Sequence, residues 1–217
     1  SAVMGANVIV LAVKPQILQE VVIPLDNLIA ETRPLLISVA AGVTSSSIER
    51  WVGGHPALIR VMPNTPALIG AGISALYANN NVSDDQRALA EKIVSAVGKT
   101  IWIQEESLMD AVTAVSGSGP AYFFYVMQAI HDAAVREGLD TSTARLLSLE
   151  TALGAARLAV ESTEHPGNLQ KQVTSPGGTT EAAIRVLNDS GVGDALQQAV
   201  SAARARGSEL AKLLDQD

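Results

Sequence analysis

The stretch VIVLAVKP, residues 8–15, decides the fold class. Its first six residues are apolar and mostly β-branched, which is typical of a strand buried on both faces of a parallel sheet. Pro15 then favours the first turn of a helix, where a missing N–H group costs nothing. A buried strand followed at once by a helix predicts the alternating layers of an α/β domain.

The same alternation continues as far as residue 103. Further strands are predicted at residues 35–40, 58–62, 72–77 and 100–103, with helices at 15–29, 45–51 and 83–97. Pro24 must bend or break the first of these helices. The last one begins with a capping-box pair, Ser83 and Gln86, and Gly98 is predicted to close it as a left-handed cap. Together these elements predict a mostly parallel sheet.

Beyond Glu105 the pattern is helical. Helices are predicted at residues 107–115, 120–137, 141–162, 168–173, 180–188 and 192–214. We therefore predict an α/β domain at residues 1–104 and an all-helical domain at 105–217. The helix over 121–135 is apolar on most of its circumference and must be buried on all sides. A homodimer is the simplest way to cover it, and a central helix in a monomer is the alternative.

Composition excludes several classes of function. The net charge is −7 with no cluster of Lys or Arg, which argues against binding to nucleic acid or to an anionic membrane. The absence of cysteine excludes disulfides and thiolate chemistry, and the scattered histidines indicate no metal site. No apolar run is long enough to span a membrane, and no signal-peptide pattern opens the chain, so we expect a cytoplasmic protein.

Small residues follow the first two predicted strands. Ala12-Val13-Lys14-Pro15 and Ala40-Ala41-Gly42 lie where ligands bind in open α/β sheets, although tight turns alone would also explain them. Met62-Pro63-Asn64-Thr65-Pro66 follows the third strand, as a pocket wall or a rigid connection. The segment at residues 116–122 is glycine-rich but lacks the lysine of a phosphate loop, which favours close approach between helices. The Glu105-Glu106 pair is typical of a solvated surface.

The turn Val173-Thr174-Ser175-Pro176-Gly177-Gly178-Thr179-Thr180-Glu181 precedes an alanine-rich helix. It directs several N–H groups and two hydroxyls to the positive end of that helix, which predicts a site for a small carboxylate. An ordinary helix start with Thr179 or Thr180 as N-cap is the alternative.

Taken together, these segments resemble the pyrroline-5-carboxylate reductase family. The matching segments are residues 12–16, 38–43, 60–66, 110–122 and 173–180, in the order of that family. The resemblance implies a Rossmann-like domain that binds NADPH or NADH, followed by a helical dimerisation and substrate domain, and assembly as a dimer or a ring of dimers. The reaction it implies is reduction of 1-pyrroline-5-carboxylate to L-proline.

The resemblance also implies roles for individual residues. Those expected at the cofactor are Ala12, Val13, Lys14, Pro15, Val39, Ala40, Ala41, Asn64 and Gln172. Those expected at the substrate are Glu106, Ser175, Gly178, Thr179 and Thr180. Within this set, Gly178 and Thr179 N–H groups and the Ser175 hydroxyl would hold the carboxylate, and Thr180 is the catalytic candidate because its hydroxyl would bind the ring nitrogen.

Two departures from the family pattern stand out. The family begins with a strand, a glycine-rich loop and a helix, and no such unit precedes residue 8, so we expect an incomplete first domain. Gln170-Lys171-Gln172 also replaces a basic–acidic pair. The alternatives are a non-catalytic helical dimerisation module and another β-hydroxyacid-dehydrogenase-like reductase, in which Lys171 is the best-placed lysine.

Overall fold

The computed structural model describes residues 3–214, and five strands form one sheet within them. The strands are β1 (Val8–Leu11), β2 (Leu35–Ser38), β3 (Leu58–Met62), β4 (Gly72–Ala78) and β5 (Gly98–Trp102). Strands β1 and β2 each end two residues earlier than predicted. At β2 the cause is local, since the Ser38 hydroxyl accepts a hydrogen bond from the Ala40 N–H in place of a ladder partner.

The strands lie in the order β1-β2-β3-β4-β5. Strands β1, β2 and β3 are parallel, β4 runs antiparallel to β3, and β5 is parallel to β4. The reversal at β4 follows from the connection, because residues 63–71 hold only a short 3-10 turn, whereas a parallel crossover takes about a dozen residues or more. The mostly parallel sheet is confirmed, with this one reversal.

In the described part of the chain, ten α-helices follow the predicted pattern closely. They are α1 (Pro15–Val22), α2 (Asp26–Thr32), α3 (Ser45–Trp51), α4 (Asp84–Val94), α5 (Met109–Val112), α6 (Gly119–Arg136), α7 (Thr141–Glu161), α8 (Pro166–Gln172), α9 (Thr179–Asp189) and α10 (Val192–Leu214). The predicted break at Pro24 is confirmed, since a 3-10 turn separates α1 from α2. Gly98 is the C-cap of the 3-10 turn at Ser95–Val97 that ends this helix, as predicted, but its ψ of −161° is not that of a left-handed helical cap. Gly98 opens β5 with φ +147°, where a side chain would collide with the backbone of Gly72.

The sheet has a hydrophobic core on each face. On one face α1 and α3 contribute Leu18, Val22 and Ile48, which pack against β1, β2 and β3. On the other face Ala90 and Val94 of α4 cover the middle strands. Burying the sheet on both sides directs ligands to its edges, where the loops emerge.

The chain divides into two compact units. The first comprises Ser1–Pro120 with Val200–Asp217, and the second comprises Ala121–Ala199. Strand β5 ends at Trp102, and every later element up to residue 214 is helical. The domain boundary between residues 104 and 105 stays a prediction.

Within one chain, the second unit leaves large apolar side chains exposed. On α6 the exposed fraction is 67% for Phe123, 62% for Phe124 and 77% for Tyr125, although the sequence predicted burial on all sides. On α7 it is 62% for Leu146 and 71% for Val160. These side chains therefore need a cover that the single chain does not supply. None of the helices between residues 3 and 214 is long and apolar enough to cross a membrane.

Candidate functional site

The loops after β1, β2 and β3 emerge at one edge of the sheet. Leu11 pairs with Ser38 and Ser38 pairs with Arg60, so the segments that follow these three residues are neighbours. The cofactor residues predicted in the first unit all lie in these loops. They are Ala12, Val13, Lys14, Pro15, Val39, Ala40, Ala41 and Asn64.

The residues at this edge fit a flat nucleotide ligand. Ala12 and Ala41 are exposed, and their methyl groups leave the backbone beside them open. Gly42 has φ +78°, a left-handed conformation that turns the chain sharply after β2. Pro15 is the first residue of α1, as predicted, and Lys14 precedes it with an exposed side chain. Small side chains and a cation at the carboxyl edge of the sheet are compatible with binding of a dinucleotide close to the backbone.

Asn64 has a structural role of its own. Its side-chain oxygen accepts a hydrogen bond from the N–H of Ile73 at 3.0 Å, and its carbonyl accepts one from Ala67 at 3.1 Å. These bonds tie the segment after β3 to the start of β4, which is the rigid-connection alternative. The side-chain NH₂ of Asn64 takes part in neither of these bonds.

Glu106 lies at the start of α3, where three donors bind its carboxylate. Oε1 accepts from the Ser45 N–H at 2.6 Å and from Arg60 Nη1 at 2.7 Å, and Oε2 accepts from the Ser45 hydroxyl at 2.5 Å. The prediction that Glu106 lies on a solvated surface is therefore wrong, because its carboxylate binds Ser45 and Arg60 of the same unit. Its predicted contact with the substrate stays a prediction, and these bonds offer a structural role instead.

Arg60 is the residue that the sequence analysis missed. Only 7% of its side chain is exposed, and it lies in the middle of β3. The signal was available, because an arginine inside a buried apolar strand needs an anionic partner. Burial and then the Glu106 carboxylate raise the pKa of Tyr77, which pairs with Arg60 across β3 and β4.

A small cavity of about 230 Å³ adjoins this ion pair. Its walls include Gly42, Arg60, Glu106 and Asp110, and Ala211 from the end of α10. The cavity is thus lined by polar and charged groups and adjoins the turn that follows β2, to which Gly42 belongs.

A π-helical turn at Thr113–Gly117 approaches the end of β3. The Ser118 N–H donates to the carbonyl of Thr113 at 2.8 Å, which widens the helix by one residue. Gly117 lies against Met62, whose Cε would be 2.5 Å from a Cβ placed on the glycine. The close approach predicted for this glycine-rich segment therefore includes the sheet edge.

In the second unit, the predicted carboxylate turn is exposed at Ser175, Gly177 and Thr179. Gly177 has φ +72°, and the Gly178 N–H donates to the Ser175 carbonyl at 3.0 Å. The Glu181 carboxylate accepts from the Gly177 N–H at 2.8 Å. The chain thus holds the turn in place without burying it.

Helix α9 begins at Thr179, and Gly178 is its N-cap. The alternative of a threonine cap is wrong, because Thr179 and Thr180 are the first two helical residues and no side chain caps the helix. The Gly178 N–H already has a partner inside the turn, and its predicted contact with the substrate carboxylate stays a prediction. The donors left at the helix start are the N–H groups of Thr179, Thr180 and Glu181.

Gln172 ends α8, just before this turn. Its side-chain NH₂ donates to the Glu164 carboxylate at 3.0 Å. The imidazole of His165 caps the other end of α8 by accepting from the Gly167 N–H at 3.2 Å. Contact between Gln172 and the cofactor stays a prediction. Among residues 3–214 there is no group of three His, Asp or Glu side chains that could hold a metal ion.

Comparison with known proteins bears directly on this arrangement. A family model described as pyrroline-5-carboxylate reductase dimerisation matches residues 106–210. The pyrroline-5-carboxylate reductase of Pseudomonas aeruginosa is 48% identical over 215 residues, which are 99% of this chain and 78% of that protein. The Synechocystis sp. enzyme is 47% identical over 207 residues, 95% of this chain and 76% of that protein.

Solved structures agree with the sequence relatives. A pyrroline-5-carboxylate reductase from Coxiella burnetii has a TM-score of 0.91 at 45% identity, covering 96% of this chain and 77% of that one. The Plasmodium falciparum pyrroline carboxylate reductase, solved with NADP bound, has a TM-score of 0.87 at 31% identity, covering 94% and 77%. These similarities extend over both compact units.

Proposed function

The chain belongs to the pyrroline-5-carboxylate reductase family, and we propose how its own residues carry out the NAD(P)H-dependent reduction of 1-pyrroline-5-carboxylate to L-proline. The observation that carries the proposal is the uncapped start of α9. A helix start without a side-chain cap presents free N–H groups and a positive dipole, which together bind a carboxylate. The sequence identity to pyrroline-5-carboxylate reductases favours this function over the two alternatives, a non-catalytic dimerisation module and a reductase that depends on a lysine.

The substrate carboxylate binds the N–H groups of Thr179 and Thr180, with the Ser175 hydroxyl as a third donor. The turn that carries these groups is exposed, so a ligand can reach it. Hydrogen bonds to an ionised group are stronger than those between neutral groups, which lets few contacts orient a small molecule. Gly178 contributes by its lack of a side chain, because a Cβ placed on it would lie only 3.0 Å from the Ser175 carbonyl oxygen.

Thr180 is the catalytic residue of the proposal. Its hydroxyl, half-buried beside the helix start, binds the ring nitrogen and fixes the plane of the imine. When bound, the nicotinamide supplies a hydride to the imine carbon. The C=N double bond becomes a single bond, and solvent supplies the proton that the nitrogen gains. Orientation of the ring accounts for most of the rate that these residues contribute.

The cofactor residues of the proposal, except Gln172 of the second unit, lie at the carboxyl edge of β1 to β3. Ala12 to Pro15 and Val39 to Ala41 form the surface against which the nucleotide rests, and the Asn64 NH₂ and Gln172 complete the set. NADPH is the proposed physiological form, supported by the Plasmodium falciparum relative that was solved with NADP. The ratio of kcat/KM with NADPH and NADH tests this preference.

Self-association completes the proposal. The exposed side chains on α6 and α7 support a homodimer, or a ring of such dimers, with these helices at the interface. A cytoplasmic location and the lack of nucleic-acid or membrane partners are proposed on the net charge of −7 and the absence of a basic cluster. Light scattering of the purified protein measures the assembly directly.

Replacement of Thr180 tests the mechanism. Thr180→Ala is expected to lower kcat more than about tenfold, because the ring nitrogen loses its hydrogen-bond partner. Thr180→Ser keeps the hydroxyl and should retain most of the activity. Thr32→Ala is the control, since Thr32 is an exposed threonine whose hydroxyl only bonds its own helix. Unchanged kinetics in Thr180→Ala would remove Thr180 from the site.

A further inference from the structure

The end of α10 returns to the first unit and lies behind the turn that follows β2. A Cβ placed on Gly42 would be 3.6 Å from the backbone nitrogen of Ala211 and 3.7 Å from its Cα. The same Cβ would be 3.7 Å from Cδ1 of Leu214. The last residues of α10 are therefore in van der Waals reach of the turn.

Two further contacts hold this part of α10 in place. The Ser208 hydroxyl donates to the Asp110 carboxylate at 2.6 Å, in a partly buried position. Leu214 packs against the hydrophobic cluster that α1 and α3 form with the sheet. The polar contact of Ser208 and the apolar contact of Leu214 together hold the end of α10 in place.

The proposed cofactor surface includes the same turn. Ala41 is exposed there, while Gly42 faces Ala211 with φ +78°. A left-handed glycine is conformationally permissive, so the turn needs outside support to keep one shape. A bound ligand that depends on such a surface loses affinity when the surface moves by a fraction of an ångström.

We propose that Ser208, Ala211 and Leu214, at the end of α10, are a positioning element for the cofactor, because they hold the helix end against the Ala40-Ala41-Gly42 turn. The proposal rests on the proposed function, in which this turn contacts NAD(P)H. It assigns to the far end of the chain an effect on cofactor affinity, without any contact between α10 and the cofactor. Ser208 and Ala211 are thus positioning residues.

Cofactor affinity and substrate affinity should separate in the test. Ala211→Leu adds three carbons at a residue that lines the cavity beside Gly42 and whose backbone lies within van der Waals reach of Gly42, and it is expected to raise the Kd for NADPH by about tenfold. Ser208→Ala removes one hydrogen bond and should raise it by about threefold, while Ser208→Thr keeps the hydroxyl and restores the affinity. The KM for 1-pyrroline-5-carboxylate at saturating cofactor should stay unchanged in all three.

The Kd is measured by NADPH fluorescence titration of the purified enzyme, with no turnover. Glu209→Gln is the matched control, because Glu209 lies beside Ser208 on the exposed side of the helix and pairs only with Arg206. Circular dichroism shows which variants are folded. If Ala211→Leu fails to fold, the Kd values for NADPH of Ser208→Ala and Ser208→Thr test the proposal.

Unchanged Kd values in folded variants of a wild type that binds NADPH would overturn this inference alone. A general loss of both affinities, as a merely structural role would cause, would overturn it as well. A wild-type enzyme that neither binds NADPH nor reduces the imine would instead overturn the proposed function. The two failures are therefore distinguishable.

Discussion

Helices α7 and α9 of the second unit begin in opposite ways. At the start of α7 the Asp140 carboxylate accepts from the N–H groups of Ser142 and Thr143, both at 3.0 Å. At the start of α9 the N-cap is Gly178, and no side chain binds the corresponding groups. At α7 the chain's own carboxylate binds N–H groups of the helix, whereas at α9 the Glu181 carboxylate binds only the Gly177 N–H of the preceding turn and no side chain caps the helix. This difference supports the proposal that the substrate carboxylate binds the start of α9.

The first unit offers an intermediate case. Helix α3 begins with a hydrogen bond from the Ser47 N–H to the Thr44 hydroxyl, and the Glu106 carboxylate binds Ser45 beside it from a distant part of the chain. A carboxylate at a helix start can thus come from the cap itself, from elsewhere in the fold, or from a ligand. The predictions below change which of these sources is present.

The largest effect is expected from giving α9 the cap that α7 has. Gly178→Asp places a carboxylate where the substrate carboxylate is proposed to bind, and the KM for 1-pyrroline-5-carboxylate should rise by about a hundredfold. Steady-state kinetics at saturating NADPH measure this change. Gly193→Asp, in the first turn of α10 with open space around it, is the control. An unchanged KM in Gly178→Asp would mean that the substrate does not use this helix start.

The next largest effect is on stability, from removing the carboxylate at α3. Glu106→Ala leaves the buried Arg60 without its partner and should lower the free energy of unfolding by about 3 kcal/mol. Urea unfolding measures it. Glu209→Ala breaks an ion pair that is more than half exposed, so its cost should stay below about 1 kcal/mol. A raised KM for the imine with unchanged stability would instead restore Glu106 to the substrate site.

A smaller effect is expected at the turn before α9. Gly177→Ala forces a side chain into φ +72° and should cost about 1 kcal/mol of unfolding free energy. The KM for the imine should rise severalfold as the turn shifts. Gly177→Asn is the matched variant, since asparagine tolerates the left-handed conformation. Equal behaviour of the two variants would show that the backbone conformation of Gly177 is not needed.

The smallest effect is a pH dependence at α7. Hydrogen bonds from the Ser142 and Thr143 hydroxyls and amides hold the pKa of Asp140 below its usual range. Because the folded pKa is depressed, the stabilisation is present above the unfolded value of about 3.9 and is lost as the pH falls through the folded pKa. Asp140→Asn still caps the helix but does not titrate there. Its Tm should therefore fall less than that of the wild type between pH 5 and about pH 3. Parallel curves would contradict the assignment.

Much of the first unit could be predicted from local patterns. Continuous apolar runs such as residues 8–11 identify buried strands, and Pro24 ends α1 because it has no N–H to donate. The antiparallel β4 was missed, since strand direction depends on the length and path of the connection rather than on the composition of the strand. Gly98 was correctly predicted to end the helix, but its extended conformation at the start of β5 was not predicted, because it depends on the neighbouring backbone of Gly72.

The site was predicted in part. The Gly-Gly-Thr-Thr turn was identified, but which N–H groups stay free depends on the internal bonds of Gly177 and Gly178. Arg60 and its bonds to Glu106 were missed, because 46 residues separate the two along the chain.

By itself, the sequence determined the α/β and helical halves, the loops at the strand ends and the start of α9. Hydrophobic periodicity, proline and glycine act over a few residues, so a linear pattern suffices to specify them. The tertiary structure alone decided that the Glu106 carboxylate binds Arg60 and Ser45, and that the backbone of Ala211 lies close to Gly42. Such pairings depend on which surfaces meet after collapse, where burial obliges a charge to find a partner and a close contact needs a residue without a side chain.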